Sequence, residues 1–138
     1  MTMTDIRNVF DVGARAMAAQ MVRMNTVASN LANASTVAST PEDAFRALRP
    51  VFETEYARAN QGLSTATVES VVMLDRQPEK QFRPDHPSAD AEGFVYAAAV
   101  NTEEEMVEMV EASRQYQNTL ETMTTLRALM ARTVQMGQ

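Results

Sequence analysis

The sequence predicts a mainly α-helical protein with a small β-element, in which long N- and C-terminal helices pair as an antiparallel coiled coil and flank a small β-rich middle domain. Apolar residues recur at alternating spacings of four and three near both ends of the 138-residue chain, as in helices that pack along a seam. All five prolines lie between residues 41 and 100, where short β-prone runs also occur. The predicted parts are therefore 1–40, 41–100 and 101–138.

The N-terminal part is predicted to form one helix over residues 5–33. Its seam, at alternating spacings of four and three, consists of Phe10, Ala14, Met17, Met21, Met24, Ala28 and Leu31. Alanine at alternate places would let a partner helix approach closely.

The C-terminal part is predicted to be a second long helix that ends at Gly137. Thr102 followed by Glu105 has the spacing of a capping box, and Glu103 and Glu104 complement the positive end of a helix. Its seam consists of Met106, Met109, Ser113, Tyr116, Leu120, Met123, Arg127, Met130 and Val134.

The middle part is less regular. Its β-prone runs cover residues 47–56, 65–74 and 94–100, and residues 34–44 have the composition of a polar loop. These features predict a small, partly antiparallel β-element.

Composition excludes several classes of function. The chain has no cysteine, so disulfides, thiol catalysis and thiolate metal sites are excluded. Its net charge of −6 disfavours a nucleic-acid partner. Its longest apolar run, residues 94–100, is too short to span a membrane. The first residues lack the layout of a signal peptide, so export is expected to need no cleaved leader.

Two clusters of polar residues favour structural roles. His86, the single histidine, lies between Pro84 and Pro87, which indicates an exposed turn with no catalytic or metal-binding role. The run 103–105 is disfavoured as a cation site, because consecutive helical side chains point in different directions. No cofactor and no enzymatic activity are predicted.

The two seams and the end of the first helix predict self-association. The methionines fit either a soft core between the two helices or packing against further partners. Helices of this length would leave apolar stripes uncovered after pairing. Asn30 and Asn33 share one side of the helix, where a carboxamide can fix the register of a neighbouring chain or cap the helix end.

Four segments carry a resemblance to a known family. They are residues 28–33 (ASNLAN), 85–96 (DHPSADAEGFVY), 105–117 (EMVEMVEASRQYQ) and 129–137 (LMARTVQMG). Together they resemble the flagellar rod and hook proteins. The resemblance implies a structural subunit of the proximal rod of the bacterial flagellar basal body, which polymerises through its terminal helices and transmits torque from motor to hook and filament. It also implies a periplasmic location reached through type III export.

The same resemblance implies the partners. They are further copies of the chain, rod subunits similar to FlgB, FlgF and FlgG, and an adaptor similar to FliE. The alternative is a soluble helical adaptor or export chaperone that uses its Met-rich surface. The predicted assembly interface consists of Phe10, Met17, Met21, Met24, Ala28, Asn30, Leu31, Asn33, Met109, Tyr116, Leu120, Met123 and Met130.

Overall fold

The computed structural model describes residues 3–56 and 64–136, which form two long helices and five strands. The elements are α1 (Met3–Asn33), β1 (Val37–Ala38), β2 (Leu48–Tyr56), β3 (Ser64–Met73), β4 (Glu79–Phe82), β5 (Phe94–Ala97) and α2 (Thr102–Met136). This order confirms the predicted class of a mainly α-helical protein with a small β-rich middle region. The predicted helix end at Gly137 lies outside the described residues.

The strands form two separate antiparallel sheets. One has the order β1-β5-β4, and the other is the β2–β3 hairpin, with a register shift between Val51 and Phe52. The predicted runs 47–56 and 65–74 correspond to the two strands of the hairpin. The run 94–100 is shorter than predicted, because after Ala97 the chain makes single backbone bonds to Thr36 and Phe45 instead of continuing a ladder. The short strands β1 and β4 were not predicted.

Three contacts define how the helices lie against each other. Gly13 lies against Met123, Arg23 donates to Glu108 through Nε at 2.9 Å, and Asn30 contacts Glu105. These contacts run in opposite order along α1 and α2. A Cβ atom at Gly13 would overlap the Sδ of Met123, so any larger residue there would displace the flexible Met123 side chain.

The face of α1 that meets α2 is not the seam predicted from the sequence. Arg23 and Asn30 lie about 100° around the helix, the angle of one residue, from the nearest members of that seam. Gly13 is closer, about 40° from Met17. Of the predicted seam, Ala14, Met21 and Ala28 are exposed. Apolar side chains occur on neighbouring faces of α1, so apolar spacing alone selected the wrong one.

The start of α2 also differs from the prediction. Asn101 caps the helix, because its Oδ1 accepts hydrogen bonds from the backbone N–H groups of Glu103 at 3.0 Å and Glu104 at 3.2 Å. The predicted capping box of Thr102 and Glu105 is therefore wrong. The Glu105 side chain is fully buried instead.

The most enclosed part of the chain lies where α1 ends and α2 begins. Its buried apolar residues are small, among them Ala44, Ala47 and Ala112. The bulkiest fully buried side chains include the polar Glu105 and Asn30. Buried polar groups require partners, and those partners define the site described next.

Candidate assembly surfaces and the junction beneath them

The amide of Asn30 pairs with the backbone of Leu48 as a neighbouring strand would. The N–H of Leu48 donates to Asn30 Oδ1 at 2.8 Å, and Asn30 Nδ2 donates to the carbonyl of Leu48 at 2.9 Å. Leu48 is the first residue of β2. A side chain near the end of α1 therefore occupies the free edge of the hairpin at its root.

Glu105 and Arg49 close a ring of hydrogen bonds with this pair. Glu105 Oε2 accepts from Asn30 Nδ2 at 3.0 Å and from Arg49 Nη1 at 2.9 Å. The same Arg49 Nη1 donates to the carbonyl of Leu48 at 3.1 Å, and Arg49 Nη2 lies 2.6 Å from Glu105 Oε1. Asn30 Nδ2 and Arg49 Nη1 thus both donate to the Leu48 carbonyl and to Glu105 Oε2. The guanidinium contacts both oxygens of the buried carboxylate and neutralises its charge.

Arg76 and Glu104 extend the network towards the surface. Arg76 donates to both carboxylate oxygens of Glu104, at 2.8 and 3.0 Å, and Arg49 lies 3.6 Å from the same group. The hydrogen bonds from Arg76 lower the pKa of the Glu104 carboxyl below its ordinary value of 4.5. Hydrogen bonding to Glu105 raises the pKa of Arg49, and hydrogen bonding to Glu104 raises that of Arg76. We call Asn30, Leu48, Arg49, Arg76, Glu104 and Glu105 the junction cluster.

The junction cluster was not predicted from the sequence. Glu103 to Glu105 were assigned to the helix start, whereas two of these acids bind arginines from the β-rich region. The sequence does contain one signal for the acid. A spacing that alternates between four and three connects Glu105 to Met109, Ala112 and Tyr116, and this places Glu105 on an inward face of the helix. The arginine partners give no such signal, because they lie far away in the sequence.

Both strands of the β2–β3 hairpin contact α1, yet the hairpin has little apolar burial. None of its side chains with described burial is fully buried. Phe52 and Val71 are among the exposed ones, at 41% and 46%. An isolated two-stranded hairpin is marginal in water, so this one depends on its attachment.

The outer faces of both helices carry uncovered apolar side chains. Met21 on α1 is 48% exposed. On α2, Met106, Val107 and Val110 are more than half exposed and line a shallow groove of about 410 Å³ with Glu111 and Arg114. Contiguous exposed apolar surface marks a site of protein contact.

The predicted interface residues fall into three groups by exposure. Asn30 is fully buried in the junction cluster, and Met123 lies against Gly13, so both act within the chain. The exposed members are Met21, Ala28 and Leu120. Besides Met123, the half-buried members are Phe10, Met17, Met24, Leu31, Asn33, Met109, Tyr116 and Met130.

His86, the other candidate for chemistry, makes a local structural contact. His86 is half-buried in a turn, where its Nδ1 accepts the N–H of Ser88 at 3.1 Å. Among residues 3–56 and 64–136, no three His, Cys, Asp or Glu side chains are arranged to hold a metal ion. Within the same residues, no helix has the length and hydropathy needed to cross a bilayer.

Comparison with known proteins identifies the class at both ends of the chain. A family model described as "Flagella basal body rod protein" matches residues 10–37, and one described as "Flagellar basal body rod FlgEFG protein C-terminal" matches residues 91–136. These ranges cover most of α1 and all of α2. The two helices that flank a small β-rich region, together with these two matches, place the chain in the class of flagellar rod proteins.

Whole-chain relatives make the assignment specific. The flagellar basal-body rod protein FlgC of Salmonella typhimurium is 38% identical over 133 residues, which cover 95% of this chain and 97% of the relative. FlgC of Escherichia coli O157:H7 is 37% identical over the same shares, and FlgC of Aquifex aeolicus is 36% identical over 95% and 96%. The chain belongs to the FlgC family of flagellar basal-body rod proteins. It is a structural rod subunit of the flagellar basal body and not an enzyme.

Proposed function

We propose that the chain is a subunit of the proximal rod that polymerises through its terminal helices and transmits torque from the motor to the hook and filament. The observation that carries the proposal is the uncovered apolar surface on the outer faces of both helices. Met21, Met106, Val107 and Val110 lie there at 48% to 66% exposure. A subunit that functions as an isolated molecule has no need to leave these side chains in water.

The helix pair is proposed to form the core of the rod as an antiparallel coiled coil, with the β-rich middle part, residues 41–100, lying further out. The order of the contacts from Gly13–Met123 to Asn30–Glu105 supports the antiparallel pairing. The half-buried and exposed members of the predicted interface other than Met123 are proposed to contact neighbouring subunits. Asn30 instead supports that surface from within.

The proposed neighbours are copies of this chain, rod subunits similar to FlgB, FlgF and FlgG, and an adaptor similar to FliE. Contacts between the α1 face of one subunit and the α2 face of the next would be heterologous, and heterologous contacts that do not close produce helical assemblies. We place the assembled subunit in the periplasm. The alternative of a soluble adaptor or chaperone is not favoured, because the relatives are rod proteins.

A charge on the outer face of α1 tests the proposal. Met21→Asp places a carboxylate where a neighbouring helix is expected, and the exposed position should tolerate it in the single chain. Asn118→Asp, an exposed polar position on α2, is the matched control. We expect cells that carry Met21→Asp to lose motility and recoverable rods while the purified subunit keeps its helical circular dichroism. Normal swimming of these cells would contradict the proposal.

A further inference from the structure

We propose that Asn30, Arg49 and Glu105 are positioning residues that hold the β2–β3 hairpin at one angle to the helix pair. The consequence for rod assembly rests on the proposed function. A neighbouring subunit would contact the hairpin and the helices as one preformed surface. The positioning itself is a property of the single chain.

The first argument is the kind of force that holds the hairpin. Apolar burial is non-directional, and no hairpin side chain with described burial is fully buried. The bonds at the root of the hairpin are directional. The backbone N–H and carbonyl of Leu48 are both bonded to Asn30, and the N–H of the preceding Ala47 donates to the carbonyl of Ala99, shortly before α2, at 3.3 Å. Both strands also contact α1, but the directional constraint on the orientation of the hairpin comes from these bonds at its root.

The second argument is that three elements meet in one ring. Asn30 comes from α1, Leu48 and Arg49 begin β2, and Glu105 lies in the first turns of α2. Asn30 Nδ2 donates both to the Leu48 carbonyl at 2.9 Å and to Glu105 Oε2 at 3.0 Å. The same amide group thus fixes the hairpin to α1 and α1 to α2. Rotation of the hairpin would break bonds to both helices.

The third argument is thermodynamic. A buried ion pair such as Arg49–Glu105 adds little net stability, because desolvation of the charges offsets their attraction. Well-packed apolar residues of similar size can replace such a pair at small cost in stability. The pair does impose geometry, because the planar guanidinium contacts both oxygens of one carboxylate. We therefore infer that the Arg49–Glu105 ion pair constrains the orientation of the hairpin more than it stabilises the fold.

The experiment measures the orientation directly. The chain has no cysteine, so nitroxide labels at Asn25→Cys on α1 and Glu53→Cys on β2 report one distance without background. Both positions are exposed and lie outside the junction cluster. A second pair, Asn25→Cys and Thr122→Cys, reports the helix pair. Distances are measured by pulsed electron paramagnetic resonance on the full-length chain in dilute solution.

The native sequence should give a single narrow peak for the α1–β2 pair. Asn30→Ala and the double variant Arg49→Met/Glu105→Leu should lose that peak and give a broad distribution, while the α1–α2 distance stays narrow. Asn118→Ala is the matched control and should keep the peak. A broad peak in the native sequence, or a narrow native-like peak in both variants, overturns the proposal.

Arg49→Lys separates positioning from charge and covers the case in which Asn30→Ala does not fold. It keeps the positive charge and the fold but cannot contact both carboxylate oxygens in the same fork. Positioning predicts that Arg49→Lys broadens the α1–β2 distance while circular dichroism shows a folded chain at the temperature of the measurement. A native-like peak overturns positioning by Arg49. These distances are measured on the single chain, so a result against positioning would not contradict the rod proposal. Normal swimming of Met21→Asp cells would likewise not contradict the positioning of the hairpin.

Discussion

Asn30 and Glu105 lie 75 positions apart in the sequence, yet the amide of one donates to the carboxylate of the other at 3.0 Å between two fully buried side chains. This bond joins the end of the first helix to the start of the second. It lies within the two segments that match flagellar rod family models, residues 10–37 and 91–136. The two matched segments are therefore one physical unit in the folded chain.

Asn30→Ala should strongly destabilise the fold. The substitution leaves the Leu48 N–H without its acceptor and removes a donor from both the Leu48 carbonyl and the buried Glu105 carboxylate. The expected loss is about 2–3 kcal/mol. Asn33→Ala is the comparison for stability, because the Asn33 amide donates within its own helix to the carbonyl of Ser29. Urea unfolding followed by circular dichroism measures both. Equal losses for the two variants would contradict the buried role of Asn30.

Removing Arg49 alone should cost more than removing Arg49 and Glu105 together. Arg49→Met leaves the buried Glu105 carboxylate uncompensated, with an expected loss of about 3 kcal/mol. Arg49→Met/Glu105→Leu removes both charges and should return to within about 1 kcal/mol of the native stability. Thermal and urea unfolding of the two single variants and the double variant complete the cycle. A double variant no more stable than Arg49→Met would argue against this account.

Stability should fall with acid partly through Glu104. Its pKa is lowered in the folded chain by hydrogen bonds from Arg76, so the pair stabilises the fold above the ordinary value of 4.5, and this contribution is lost as the pH falls below that value. The group is 41% exposed, so the effect should be modest and weaker in high salt. Arg76→Gln should flatten this part of the pH profile of unfolding. An unchanged profile would show that the pair has no role.

Leu31→Asp should block rod assembly while the polypeptide is still made and exported. Leu31 is half-buried beside the junction, and a carboxylate there would be desolvated against any helix that packs on this face. Leu31→Met, which conserves volume and apolar character, is the control and should assemble. Motility and secreted protein, measured in parallel, separate assembly from export. Swimming by Leu31→Asp cells would show that this face meets solvent in the rod.

Gly13 and Met123 should show strong energetic coupling. Alanine is favoured over glycine inside a helix by about 0.5–1 kcal/mol, but a Cβ at Gly13 would displace the Met123 thioether. Gly13→Ala should therefore stabilise the chain in a Met123→Ala background and gain less, or lose stability, in the native background. A double-mutant cycle by urea unfolding measures the difference. Additive effects would mean that the helices do not pack at this point.

The sequence predicts the elements better than it predicts their contacts. Apolar seam spacings located both helices, and β-prone runs located the two hairpin strands, because each signal is local. The strands β1 and β4 have two and four residues, too few to show an alternation. The inward face of α1 includes Arg23 and Asn30, polar residues that a search for apolar seams passes over. Their partners in α2 become visible only once the chain is folded.

Because the hairpin is long, a small rotation at its root moves its far end by a large distance. The nine residues of β2 extend about 30 Å from Leu48. A rotation of about 10° at that point moves the far end by about 5 Å, close to the spacing between neighbouring strands in a sheet. An angular error this small would shift any strand pairing with an adjacent molecule by one full strand. The accuracy with which the far end of the hairpin is placed thus depends on a few hydrogen bonds around one asparagine.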